Sequence, residues 1–373
     1  MNNKLEVLEF INQHPSNWRE LLAEKPYCIT ANSDGKFTIL SYSQIDSSFM
    51  EPLVRECRGL IITLNDNLRY IPVCMGFTKF GNYGEGYCPE INWKTARVQE
   101  KKDGSLLKVW KYDGAWHIST NNTINAATAY VGESKSITFY GLFAMALGMS
   151  GVKSERQWLQ SLDPACTYMF ELCCPENRVV VPHTDYKLYH IGTRHNLTLH
   201  ELNVDIGLPK PKEYPLKSFE ECLEAAKVLS FLHEGYVVVD GSWNRVKIKS
   251  PAYLVVFHLK NNGIITKERV IDLLRSGEHT EFLNYFPEYT EKVEKVQRHL
   301  NALEAGLSKT CEVLTALNFE TQKDFALHIK DDRFSPFYFE WRKSGITPKE
   351  WLDKKESWRL AGYLTDCAID SNP

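Results

Sequence analysis

Between about Cys28 and Leu259 the chain alternates short apolar runs with Gly, Asn and Asp turns, as in Phe37-Thr38-Ile39-Leu40-Ser41-Tyr42 and Gly59-Leu60-Ile61-Ile62-Thr63-Leu64. Runs of this length, rich in β-branched and aromatic residues and bounded by turn formers, predict strands. Two hairpins are legible. Leu106 to Tyr112 turns at Asp113-Gly114 into Ala115 to Thr120, and Tyr236 to Val239 turns around Asp240-Gly241 into Arg245 to Lys249. Helical spacing interrupts the strands at Tyr140 to Leu147, at Glu155 to Ser161 and at Phe219 to Leu232, the last from a stripe of Leu223, Ala226, Val228 and Leu229. These helices read as a cover on a sheet core. Beyond Lys260 the texture becomes helical. Lys267 to Ser276 reads as one helix, and Val293, Val296, Leu300, Leu303 and Leu307 form an apolar seam at heptad spacing. A seam of little more than two heptads predicts a helix packed within its own domain. The pattern gives an α+β protein with a strand-rich domain at residues 1–259 and an all-helical one at 260–373.

Composition adds limits. The 373 residues are 43% hydrophobic and 24% charged, ordinary for a soluble globular chain. With 44 Lys+Arg against 47 Asp+Glu, the formal net charge of -3 excludes a general polycation, so any nucleic-acid contact must come from a local patch. Ten cysteines are scattered without a CxxC pair, and Cys173-Cys174 point to opposite faces if they lie in a strand. They read as reduced thiols. The start, Met1-Asn2-Asn3-Lys4, opens no signal-type apolar block, and no apolar stretch is long enough to span a bilayer. The expectation is a cytoplasmic protein with no membrane partner.

The candidate chemistry begins at Lys101-Lys102-Asp103-Gly104-Ser105. Alone this segment is a turn between strands. A lysine amine attacks phosphorus only when unprotonated, and its ordinary pKa lies near 10.4. In Arg245-Val246-Lys247-Ile248-Lys249, strand alternation puts three cations on one face. Gathered near Lys101, they would disfavour its charged form and bind the phosphates it attacks. By itself, Lys-x-Lys is better read as a solvated basic face. Glu234 opens an apolar run, so its carboxylate lies at a strand end where it could hold a divalent metal or its waters; alone it reads as a surface glutamate. Glu171, in Tyr168-Met169-Phe170-Glu171-Leu172, is flanked by large apolar residues. Burial would demand a hydroxyl or cation partner, while the wet face of an amphipathic strand would not, and the pattern leaves both open.

These residues, taken in order, resemble the covalent nucleotidyltransferases, which include ATP-dependent ligases and messenger-RNA capping enzymes. Lys101-x-Asp103-Gly104 matches the nucleotidylated-lysine motif, Phe170-Glu171 the third motif, Glu234-Gly235-Tyr236-Val237 the fourth and Lys247-Ile248-Lys249 the fifth. Over residues 35–260 the nearer likeness is to RNA ligase 1 of T-even bacteriophages and its relatives. Ser41-Tyr42 with Glu56-Cys57-Arg58-Gly59, Lys79 in Thr78-Lys79-Phe80-Gly81-Asn82, the extension to Ser105-Leu106, Pro175-Glu176-Asn177-Arg178-Val179-Val180, and Tyr253 carry it.

The resemblance implies an ATP-grasp-like adenylyltransferase domain of antiparallel sheets with flanking helices, followed by a helical domain with a role in binding RNA. It implies ATP and Mg²⁺, with Mn²⁺ as an alternative, and a lysyl-AMP on Lys101. It further implies an RNA partner with 5′-phosphate and 3′-hydroxyl ends, single-stranded or a broken tRNA, in the host cytoplasm if the chain is phage-encoded. Tyr42, Arg58, Lys79, Lys247 and Lys249 would hold the nucleotide, Glu171 its ribose and Glu234 the metal. The chain departs from the family at Asn121, where relatives usually carry a basic residue. DNA ligases and capping enzymes are the nearest rivals, and both ordinarily continue into a β-rich barrel. A non-catalytic RNA-end binding protein would have no need of the Lys101 amine.

Overall fold

The computed structural model describes residues 4–131, 135–258, 265–285 and 287–364. The chain divides into two compact units, Met1–Lys260 and Asn261–Pro373. The boundary expected between residues 259 and 260 itself falls outside the described residues.

The strands of the first unit are, in chain order, β1 (Ile29–Asp34), β2 (Phe37–Tyr42), β3 (Arg58–Leu64), β4 (Tyr70–Cys74) and β5 (Arg97–Lys101). Next come β6 (Ser105–Tyr112), β7 (Ala115–Ser119), β8 (Tyr130–Val131), β9 (Ile137–Thr138) and β10 (Cys166–Cys173). The set closes with β11 (Lys187–His195), β12 (Glu201–Leu202), β13 (Glu213–Tyr214), β14 (Gly235–Val239) and β15 (Arg245–Lys249). They form three main antiparallel sheets, ordered β1-β2-β3-β4, β12-β11-β10-β6-β7 and β13-β5-β14-β15, with β8-β9 as a small ribbon.

Alternation of side chains explains the layers. One face of the second sheet turns Trp110 into a cluster with Phe37, Ile39, Ile61, Val73 and Cys74 of the first sheet. Its other face packs Leu107, Val109, Phe170 and Leu172 under Leu142, Phe143 and Trp158 of helices Phe139–Met149 and Glu155–Ser161. The third sheet buries Val98, Tyr236, Val238 and Ile248 beneath Cys222 and Ala226 of helix Phe219–Lys227.

Local chemistry accounts for the turns. Asp113 and Gly114 both take positive φ, 50° and 77°, as a two-residue hairpin with the right twist requires. The second hairpin closes through a longer loop, in which Asp240 accepts hydrogen bonds from the backbone N–H groups of Ser242 and Asn244. Helix Phe219–Lys227 stops five residues short of the expected Leu232. The stripe fails at Val228, which is 84% exposed, while Leu229 still packs against the third-sheet cluster from beyond the helix end. The helices Glu6–Gln13, Trp18–Ala23 and Pro251–His258 were not legible; the last begins on a proline inside the strand-rich stretch, a residue suited to a first helical turn.

In the second unit, helix Lys267–Ser276 starts on the Thr266 hydroxyl, which accepts from the Arg269 N–H, and ends on Gly277 at φ 71°. The heptad residues lie in helix Thr290–Ala316, which packs against Lys267–Ser276 and Pro348–Asp353 of the same unit. Leu300 and Leu303 are only half-buried, so the seam is not continuous.

The arrangement places the Lys101–Gly104 segment where the chain leaves the third sheet and enters the second. A Cβ on Gly104 would stand 2.2 Å from the Leu172 carbonyl oxygen, a backbone atom that cannot swing away. Gly104→Ala is therefore expected to cost about 1–3 kcal/mol, the usual range for overpacking. Urea unfolding measures it, and unchanged stability would show that this crossing has room to give.

Candidate active site

Lys101, the last residue of β5, faces Gly235 of β14 in register, and Gly235 in turn faces Lys249 of β15. Three strands thus present a row of lysine, glycine and lysine. Adjacent strands lie about 4.8 Å apart, so the two lysine backbones stand roughly 10 Å apart with no side chain between them. Gly235 has φ 137°, and a Cβ there would meet the Ile248 carbonyl oxygen at 2.1 Å. Only glycine fits.

The Lys101 amine meets Glu234 Oε1 at 2.7 Å. Glu234 is buried, not a surface residue, and its carbonyl accepts the Ser250 N–H. The Lys101 amine is thus paired directly with a carboxylate in addition to the cations expected around it. Glu171, half-buried on β10, belongs to the same cluster. Burial pushes its carboxyl up to about 7; Lys101 and Arg58 pull it down, while Glu234 and Asp103 push it further up.

Asp103 acts as a knot. Its Oδ2 accepts the Val180 and Val181 N–H groups at 2.9 and 2.6 Å, and its Oδ1 accepts the Tyr253 hydroxyl at 2.9 Å. The His183 ring lies 2.6 Å from its carbonyl oxygen. The buried aspartate thereby fixes the turn after Lys101 to the 176–184 loop and to helix Pro251–His258. Tyr253 is far from any surface, at 2% exposure.

A second cluster gathers cations on aromatic rings. Lys79 sits 4.0 Å from the Phe49 ring centroid and 5.1 Å from that of Tyr42, with Nζ donating to Gln44 Oε1. Burial raises the Tyr42 hydroxyl, opposed by the neighbouring Arg58 guanidinium. Arg58 and Lys247 lie 5.9 and 5.3 Å from the Phe80 ring. The 81–83 segment is stitched to β15, since Lys247 donates its N–H to Gly81 and accepts from Tyr83. Lys249 lies over the Phe257 ring at 5.7 Å. Arg245 does not join this group; it is buried and bonded to Glu201, so one of the three cations expected on the β15 face is already engaged.

Beside Lys101 opens a cavity of about 210 Å³, lined among others by Glu234, Glu100, Lys102, His183 and Tyr189. Tyr189 stands opposite Glu171 in register, and Lys102 bridges to Glu100 at 2.7 Å while lying 4.3 Å from the Tyr189 ring. Arg58, Lys79 and Lys247 do not line this cavity. None of Tyr189, Glu100 or His183 carried a signal in the sequence, because each belongs to an ordinary strand or loop pattern. Lys108 was also missed. It is fully buried on β6, bonded to the Gly59 carbonyl oxygen, and burial lowers its pKa. The visible clue was a lysine inside Leu106-Leu107-Lys108-Val109-Trp110. Near it, the Asn121 carbonyl oxygen accepts from the Ser41 hydroxyl, while its Oδ1 is buried with no partner among the described residues.

The described residues hold no group of three or more His, Cys, Asp or Glu suited to a metal ion. A hard divalent cation bound partly by phosphate oxygens and water needs only one or two carboxylates, and Glu234 with Glu171 offers that donor set. The nine described cysteines are free, seven of them buried. No helix among the described residues is long and apolar enough to cross a membrane.

The Lys101 amine thus stands against a buried carboxylate beside a 210 Å³ cavity, on antiparallel sheets. The family described as RNA ligase matches residues 56–253, more than half of the chain, and the chain belongs to that family. It is 33% identical to a protein named as a bifunctional polynucleotide kinase/RNA ligase of Autographa californica nuclear polyhedrosis virus, over 67% of this chain and 37% of that protein. The chain thus spans little more than a third of that relative's length. An RNA ligase of Rhodothermus phage RM378 is 25% identical, with 65% of this chain and 68% of that protein covered. An archaeal ATP-dependent RNA ligase structure superposes with a TM-score of 0.42 and 15% identity, covering 80% of this chain and 82% of that one.

Tyr253→Phe removes the hydrogen bond to Asp103 without disturbing the ring. Leaving a buried polar atom without its partner costs about 1–3 kcal/mol, and a loss of that size is expected in denaturant unfolding. A variant as stable as the parent would mean that the backbone donors alone hold Asp103.

Proposed function

We propose that the chain is an ATP-dependent RNA ligase that works through AMP bound covalently to Lys101. The observation that carries this reading is the row of Lys101, Gly235 and Lys249 with Glu234 at 2.7 Å from the Lys101 amine, in a chain of the RNA ligase family.

The unprotonated Lys101 Nζ attacks the α-phosphorus of ATP. A nitrogen–phosphorus bond forms, the bond to the β-phosphate oxygen breaks, and pyrophosphate leaves. An RNA 5′-phosphate oxygen then attacks the AMP phosphorus and the lysine is released. Finally an RNA 3′-hydroxyl attacks the activated 5′-phosphorus, sealing the strand and releasing AMP. Such transfers depend on alignment and on neutralising charge spread over phosphate oxygens.

The two sides of Lys101 support a division of the nucleotide. Arg58, Lys79, Lys247 and Lys249 supply the positive charge suited to phosphates. The 210 Å³ cavity, lined mainly by charged and polar side chains around the Tyr189 ring that Lys102 overlies at 4.3 Å, offers hydrogen-bonding edges suited to the nucleoside part. Tyr42 closes the phosphate side by packing beneath Lys79. Glu171, across the strand pair from Tyr189, would accept ribose hydroxyls. Glu234, with Glu171, would hold Mg²⁺ or Mn²⁺, which would neutralise phosphate charge. Asp103, Gly104 and Tyr253 hold the Lys101 turn in position.

The acceptor is RNA with a 5′-phosphate and a 3′-hydroxyl, single-stranded or a broken tRNA, and the helical unit from residue 260 is proposed to contact it. The described residues of that unit contain helices and no strand, which favours this reading over a DNA ligase or capping enzyme with a β-rich barrel.

Incubation with α-labelled ATP and Mg²⁺ is expected to leave label on the protein, with none on Lys101→Ala. Absence of label on the parent chain with ATP, GTP or NAD would sink the enzyme reading. Because the Glu171 carboxyl is raised to about 7, kcat/KM for self-adenylylation is expected to rise as pH passes through about 7, as the acceptor ionises. Glu171→Gln should flatten that limb and lower the plateau by about 10- to 100-fold, and a limb that survives the substitution belongs to another group.

A further inference from the structure

The second and third sheets, which meet at Lys101–Gly104, are also tied by a buried charge cluster centred on Glu201. Glu201 of β12 faces Arg194 of β11 in register and accepts from its Nη2 at 2.8 Å. The same carboxylate receives both terminal nitrogens of Arg245 on β15, Nη1 to Oε1 at 2.8 Å and Nη2 to Oε2 at 2.6 Å. All three residues are less than 9% exposed. Two guanidiniums therefore share one carboxylate in a buried site, and the forked pair with Arg245 fixes direction as well as distance.

Arg245 lies two residues before Lys247, on the same strand face. Its guanidinium also sits 4.2 Å from the Phe77 ring centroid, while Lys247, farther along, is hydrogen-bonded through its backbone to Gly81 and Tyr83. The strand that carries the two phosphate-side lysines and the 77–83 segment that carries Lys79 thus converge on a point held by Glu201. We infer that Glu201 is a positioning residue: through Arg245 it sets the register of β15 against the 77–83 segment, and so brings Lys247 and Lys79 to the same phosphates. The inference rests on the nucleotide reading above.

The test uses the full chain and two probes, an ATP analogue with a methylene between its α- and β-phosphates, and adenosine, which has no phosphate. Wild-type protein is expected to bind both. Failure to bind the analogue would overturn the nucleotide reading and this inference with it. Glu201→Gln leaves two buried cations without a counter-charge, and is expected to weaken the analogue about tenfold or more while changing adenosine by less than about threefold. Glu201→Asp, which restores the charge, should recover most of the loss. Circular dichroism at the assay temperature checks that each variant is folded. If Glu201→Gln does not fold, Arg245→Lys is measured in its place; it keeps the charge but loses the fork, with an expected loss of about three- to tenfold for the analogue alone. A folded variant that binds the analogue as the parent does, or that loses adenosine equally, overturns the positioning role.

Discussion

The row of Lys101, Gly235 and Lys249 across β5, β14 and β15 is the constraint on which the site depends. A side chain on the middle strand would fill the space between the two lysines, and Gly235 leaves it open. Because β15 approaches so closely that the Ile248 carbonyl would clash with any Cβ, the same glycine also sets the strand spacing. Geometry at one residue thereby sets how closely the β14 and β15 backbones approach and leaves no side chain between the two lysines of the row.

Three buried carboxylates then divide the work by their partners. Asp103 spends its oxygens on two backbone N–H groups and the Tyr253 hydroxyl, so it holds the backbone after Lys101. Glu201 is taken by two arginines and joins two sheets. Glu234 has the Lys101 ammonium as its ion-pair partner. Glu171 differs from all three: with burial as its dominant influence, its proton affinity is raised. Identical chemistry in the side chain gives structural ties in two cases and a raised proton affinity in another.

The motif residues were legible because their order along the chain is itself a signal. Lys101, Asp103, Gly104, Glu171, Glu234, Lys247 and Lys249 could be selected from the sequence, as could both hairpins and the helical texture after Lys260. The environment of each was not. Glu234 looked like a surface residue until Ser250 and Lys101 were seen against it, and the three basic residues of β15 looked equivalent until Arg245 was found engaged. Tyr189 and Glu201 stood in segments without a motif, and their parts arise from strand pairing and from contacts between sheets.

The sequence by itself determined the periods of burial, the turns that require positive φ and the helical composition after residue 260. These are local properties, set by side-chain alternation and backbone sterics within a few residues. Only the tertiary structure decided the pairing of charges: Lys101 with Glu234, Asp103 with Tyr253 across 150 residues, and Arg245 with Glu201. The reason is that a buried charge is stabilised by whichever opposite charge or donor reaches it, and that depends on sheet register and on the crossing between sheets, which no single segment encodes.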